Sequence, residues 1–192
     1  MDVTITFSGR TPLICHNVQM ADPDNTITQA IKKLTSKRVK TEEDRREIER
    51  LEWHGGLYLA PGITGPAMPT ANLRKCLIEG AKLTKQGTQV QRSLSFTDLF
   101  VPIAYEGPRD IDKLWQREDF RDRRIVGVQQ ARTIRMRPGF PEWVIEARMY
   151  LLANVMDLAS LEQIAVQAGL TQGLGDNRTN GFGRFDAKVV AA

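Results

Sequence analysis

Two cysteines and two histidines in 192 residues leave little material for metal or redox chemistry. Cys15 and Cys76 have no CxxC partner and no neighbouring pair of histidines, which argues against a zinc site or a disulfide framework and predicts buried thiols. No run approaches the roughly 18 apolar residues of a membrane span, and the opening MDVTITFSGRTPLI lacks the basic and apolar regions of a signal peptide. We therefore expect a cytoplasmic protein with no membrane partner. P-loop, Rossmann fingerprint, Ser-His-Asp order and metal-ligand cluster are all missing, so neither a cofactor nor a metal is expected. Linkers, internal repeats and low-complexity segments are missing too, and the length suits one well-cored domain.

What remains is an ordinary globular composition, 41% hydrophobic and 26% charged, with a net charge of +4. The distribution of that charge says more than its size. Five basic residues and no acid fall between Asn25 and Thr41 (Lys32, Lys33, Lys37, Arg38 and Lys40), and six arginines face Asp122 alone between Arg121 and Arg137. Clusters of this kind are footprints of a polyanionic partner or solvated faces of the fold.

The first eight residues after Met1 alternate as a half-buried strand, with Val3, Ile5 and Phe7 on one side. Residues 22–56 read as a polar helical pair, the second helix opened by a Thr41/Asp44 capping box. Its apolar stripes are thin, which predicts an insertion projecting from the core. Thr70 to Thr84 places Leu73, Cys76, Leu77, Gly80 and Ala81 on one helical stripe. FTDLFVPIAY and IVGVQQARTIRM read as strands, and the second is expected to form a hairpin with the alternating WVIEARMYLL. A helix from Leu158 to Gly169 and a final strand around Phe185, Ala187 and Val189 complete the order β-α-β-β-α-β, the ferredoxin-like, RRM-like plan of an α+β domain. The insertion and an added hairpin decorate it.

Ahead of the last strand lies GLGDNRTNGFGRF, with glycines at 173, 175, 181 and 183. Gly173, Gly175, Gly181 and Gly183 permit tight turning and close approach of another backbone. Arg178 and Arg184 add cations for phosphate, and Phe182 offers a stacking platform. The bland alternative is a tight helix-to-strand connection with its phenylalanines in the core. Arg132, Arg135 and Arg137 fall on a strand where Arg135 and Arg137 point away from Ile134 and Met136, an arginine-bearing face suited to an RNA track. Catalytic material is thin. His16 and His54 are candidates for a general base in metal-independent RNA cleavage, against the commoner structural role of a lone histidine.

The spacing G-x-G-x5-G-x-G before a terminal strand resembles the signature of the RAMP superfamily, the RNA-recognition-motif-like proteins of CRISPR systems. MPTANLRKCLIEGA, residues 68–81, is similar to the P-x-S-S-L-K-G opening of the first helix in backbone subunits of their effector complexes, with Pro69, Leu73 and Arg74 in place. TITFSGRTPLI is similar to the family's first strand and the loop after it. The resemblance implies a single RAMP-like domain over 1–192 that binds single-stranded RNA, or single-stranded DNA, without cleaving it. It also implies Arg74 as a nucleic-acid contact, self-association into a filament or ring along the strand, and CRISPR effector subunits as partners. Asp22 and Asp24 lie roughly where some backbone subunits carry a cleaving aspartate, although Asp-Pro-Asp is equally a turn and helix-cap sequence. The alternatives are the metal-independent endoribonuclease using His16 or His54, and a protein-interaction module that mimics or caps a CRISPR complex.

Overall fold

Alternation of apolar residues in the first strand decides what can lie on either side of it, and the computed structural model, which describes residues 1–128 and 131–192, shows the outcome. The chain runs β1 (Asp2–Gly9), β2 (Leu13–Ile14), α1 (Thr26–Thr35), α2 (Glu42–Gly56), β3 (Ala67–Pro69) and α3 (Thr70–Lys82). It continues through α4 (Gly87–Ser93), β4 (Leu94–Phe96), β5 (Phe100–Ala104), α5 (Ile111–Trp115), β6 (Arg121–Val128) and β7 (Ala131–Phe140). It ends with β8 (Val144–Leu151), α6 (Leu158–Thr171) and β9 (Phe185–Ala191).

β1 is flanked by two antiparallel partners. On one side Val3, Ile5 and Phe7 face Met149, Ala147 and Ile145 of β8; on the other, Ile5 and Phe7 face Val189 and Ala187 of β9. The far side of β8 takes β4 and then β5, successive pieces of one edge, through Leu94↔Leu151 and Ile103↔Ile145. Strand order is therefore β9, β1, β8, β4/β5, with β3 added beside β5 at the edge and α3 and α6 as the crossovers, which is the ferredoxin-like β-α-β-β-α-β arrangement of an α+β fold. Side chains with period 2 put Val3, Ile5, Phe7, Ile145, Ala147 and Met149 on the covered face, where Leu73 and Leu77 of α3 and Leu161 and Ile164 of α6 close the core. The two helices touch at Gly80, where a Cβ would stand 2.8 Å from the Ala168 Cα. Both cysteines are buried, as the composition implied.

A second sheet, ordered β2-β7-β6, differs from the sequence expectation. IVGVQQARTIRM falls on two strands, β6 and β7, paired antiparallel from Arg121↔Pro138 to Val128↔Ala131, and Gln129 and Gln130 of that expected strand lie outside the described residues. β7 then pairs with β2 (Leu13↔Phe140) rather than with β8. Alternation reports which face of a strand is buried but not which strand lies beside it. Arg132, Arg135 and Arg137 accordingly stand on this second sheet and not on the central one.

The helical pair also departs from a simple projection. α1 has no buried residue, whereas α2 carries Trp53 into the core, fully buried, with its Nε1–H donating to the Phe120 carbonyl at 2.8 Å. Glu52 accepts the Met136 N–H at 3.0 Å and pairs with Arg135, so α2 is pinned onto β7. Its contact stripe escaped the pattern because much of it is glycine: a Cβ on Gly56 would come to 2.7 Å from the Pro138 ring. The Thr41/Asp44 capping box is present, and Lys37 Nζ sits 2.6 Å from the Asp44 carboxylate.

If α2 belongs to the core, Trp53→Ala should cost about 3–5 kcal/mol, and Val39→Ala, in the exposed turn before it, within about 0.5 kcal/mol. Urea denaturation of the two variants measures this. Equal midpoints would return the helical pair to an appendage.

Candidate nucleic-acid interface

The glycine-rich loop begins where α6 ends and is locked by backbone contacts with the segment between β1 and β2. Gly183 N–H donates to the Pro12 carbonyl at 2.9 Å, Asp176 N–H to Ile14 at 2.7 Å, and Arg184 N–H to the Thr11 hydroxyl at 2.9 Å. That hydroxyl in turn donates to the Gly181 carbonyl at 2.8 Å. Leu174 N–H closes the loop on Gly183 at 2.9 Å, and a Cβ at Gly183 would overlap the Leu174 carbonyl. These four N–H donors are spent inside the fold, and the loop also turns arginine side chains outward.

Those side chains border a cavity of about 720 Å³ between the loop and β6. Arg178 and Arg184 come from the loop, Arg124 from β6 and Arg137 from β7. Arg124 is held by the Asp122 carboxylate and lies over the Phe182 ring with its guanidinium carbon 4.4 Å from the centroid. Arg137, only 14% exposed, pairs with Asp176 at 2.9 Å. Arg184 Nη2 donates to the Arg178 carbonyl at 3.2 Å, while its Nη1 is buried without a hydrogen-bond partner among the described residues. Neither Arg178 nor Arg184 pairs with a carboxylate among the described residues. The cleft therefore contains two arginines fixed by acids and two whose charge is unspent.

The sequence singled out Arg137, Arg178 and Arg184, and the fold brings them together. Arg124 was missed as a site residue, although it sits in the arginine cluster the composition picked out; only the register of β6 with β7 turns it inward. Phe182 has one ring face under Arg124. Its ring is half-buried and supports Arg124, a cation–π contact worth about 0.5–1 kcal/mol.

The remaining candidates are dispersed. Arg135, tied to Glu52, borders a second cavity of about 410 Å³ with Met20, Ile31 and Val126, which meets the cleft at Arg137 and Asp176. Arg132 is exposed on β7 opposite Gly127. Arg74 donates to the Gln91 carbonyl at 2.5 Å and so joins α3 to α4, while its neighbour Lys75 borders a third cavity of about 210 Å³ with His16, Tyr58 and Asn72. Lys32, Lys33 and Arg38 are exposed at the end of α1 and beyond it; Lys37 serves Asp44, and Lys40 Nζ donates to the Lys37 carbonyl at 3.1 Å. None of this basic run borders the three cavities.

His16 is exposed where the second and third cavities meet. His54 instead packs against Trp53 and Trp115, at 5.1 and 6.2 Å between ring centres. Burial, and then the Arg50 charge, hold its pKa below the ordinary histidine value. Asp22 accepts the Asp24 N–H at 2.9 Å in the turn that leads to the Asn25 cap of α1, and neither aspartate borders the three cavities. Burial pushes the Cys15 and Cys76 thiols up to about 12, which makes them poor nucleophiles. No cluster of three potential metal ligands occurs among the described residues.

No protein-family model matches the chain, and no curated protein matches its sequence. Among solved structures the chain is similar to one in the "Cryo-EM structure of the Type III-B Cmr-beta bound to cognate target RNA", with a TM-score of 0.48 and 12% identity. The likeness covers 99% of this chain and 60% of that one, so the chain spans about three fifths of that neighbour's length.

Two outcomes test this account of the loop and of His54. Gly181→Ala, which meets no atom within 4 Å but needs φ of +85°, should cost about 1–2 kcal/mol. Gly183→Ala, which must also displace the Leu174 carbonyl, should cost more, at least about 3 kcal/mol, in thermal or urea melts. For His54 the folded state resists protonation, so the unfolded chain takes up the proton first. Stability should be level above about pH 6.5 and decline as pH falls from there through the lowered folded value. His54→Gln should flatten that decline in melts between pH 8 and 5.

Proposed function

We propose that this chain is a RAMP-type subunit of a CRISPR-like effector that binds single-stranded RNA in the arginine cleft without cleaving it, copies associating along the strand. The observation that carries this is the pair of unspent guanidinium groups, Arg178 and Arg184, opposite Arg124 and Arg137 across an open cavity. Arginine matches phosphate geometry with paired N–H donors, and a site lined by such groups neutralises a backbone irrespective of base. Support for the family comes from the glycine spacing, the Pro69 helix opening and the ferredoxin-like strand order, taken together.

Filter binding of a single-stranded RNA oligonucleotide over a salt series tests the reading. Affinity should fall with salt by a slope of about 0.7 per phosphate neutralised. Arg178→Ala and Arg184→Ala should each weaken binding and shallow the slope by roughly one contact while leaving the melting temperature nearly unchanged. Arg74→Ala, which breaks a bond inside the fold, should leave the slope alone. A flat salt response, or arginine variants that bind like the parent protein, would remove the cleft as a binding site.

One observation favours a second reading, metal-independent RNA cleavage. His16 is exposed between two cavities that Asp176 also borders, whereas His54 is packed among tryptophans. Cleavage of labelled RNA in EDTA that disappears in His16→Ala would establish it; intact RNA leaves the binding role.

A further inference from the structure

We infer that the third cavity, on the other side of the glycine-rich loop from the cleft, receives one base of the bound strand and reads it as adenine. This rests on the strand-binding reading above and adds a specificity to it. The two cavities share Gly175, Asp176 and Arg178 as lining, so a strand lying against Arg178 passes the mouth of both. At about 210 Å³ the cavity is smaller than the roughly 300–1,000 Å³ of sites for drug-sized ligands and suits a single base.

Its walls have the chemistry of a base pocket. Tyr58 is half-buried with its hydroxyl fixed on the His16 carbonyl at 3.0 Å, so the phenol ring is held in place, and the His16 side chain borders the same space. Tyrosine and histidine rings are common stacking partners of unpaired RNA bases. Inside lies the Asn72 carboxamide. Its Nδ2 lies 3.6 Å from the Met68 thioether, a weak acceptor that a base could replace, and the amide also faces the Tyr58 hydroxyl. Its Oδ1 has no hydrogen-bond partner among the described residues, which leaves an acceptor and one weakly used donor to be matched by a ligand. An amide side chain pairs bidentately with adenine, donating to N7 and accepting from the N6 amino group; guanine presents two acceptors at that edge and mismatches one of them. Lys75 and Arg178 are exposed on the rim, neither paired with a carboxylate among the described residues, and flank the opening with charge for the adjoining phosphates.

The test compares oligo(A) and oligo(U) ribonucleotides of equal length in direct binding over a salt series, with oligo(C) as a third arm. The parent protein should favour oligo(A) over both by at least about fivefold, the lower end of what a bidentate side-chain–base pair discriminates. Asn72→Ala should bring the ratio close to one while the salt slope, which reports phosphate contacts, keeps its value. If that variant folds poorly, Asn72→Asp has the same shape without the donor and must erase the ratio in the same way. Equal binding of the three homopolymers, or a preference that survives both substitutions, would overturn the adenine pocket while leaving the cleft intact. Failure to bind any strand would overturn both.

Discussion

The stretch from Arg10 to Ile14 holds the molecule together. It leaves the central sheet at Gly9 and enters the second sheet at Leu13, and between those points its backbone and the Thr11 hydroxyl satisfy the glycine-rich loop. Hydrogen bonds from Gly183, Asp176 and Arg184 all end there. Because unpaired backbone groups are costly when buried, the loop and the connection fix one another. The position of the β6–β7 hairpin relative to α6 follows, and so does the cleft between them. Close backbone contact explains why glycine is required in the loop more directly than any ligand does.

Charge in the cleft is divided between holding and offering. Asp122, Asp176 and Glu52 each take one arginine of the hairpin, and Arg124 is further steadied by the Phe182 ring. An ion pair such as Arg137 with Asp176, mostly out of water on the arginine side, contributes little net stability, because desolvation offsets the attraction. Its value lies in geometry. With those side chains immobilised the wall of the cleft is ordered, so a ligand bound there would cost less conformational entropy. Arg178 and Arg184 have no carboxylate partner among the described residues, so their charge is left to the cavity.

The helical pair is divided in the same manner between structure and surface. α2 joins the core through Trp53 and braces β7 through Glu52, while α1 and the basic turn after it stay in solvent. The clustered lysines that stood out in the sequence lie away from the cleft, and one of them, Lys37, serves the capping box of α2. A run of like charge along the chain thus stays dispersed in solvent, whereas arginines scattered in the sequence are gathered by the fold around one cavity.

Periodicity carried much of the architecture. Period 2 in Val3, Ile5 and Phe7 and in Ile145, Ala147 and Met149, and the helical stripe through Leu73 and Leu77, depend only on local geometry and burial, so the ferredoxin-like order could be read from the chain itself. The glycine spacing likewise marked a loop in which side chains are excluded, as the overlap at Gly183 shows. Tertiary structure alone decided that β7 leaves β8 for β2, that Trp53 is core, that Arg74 is tied to α4, and that Arg124 covers Phe182. Each of these is a contact between residues far apart in the chain. A sequence pattern states which face of an element is apolar, but only closure of the chain determines what that face, or a given arginine, will meet.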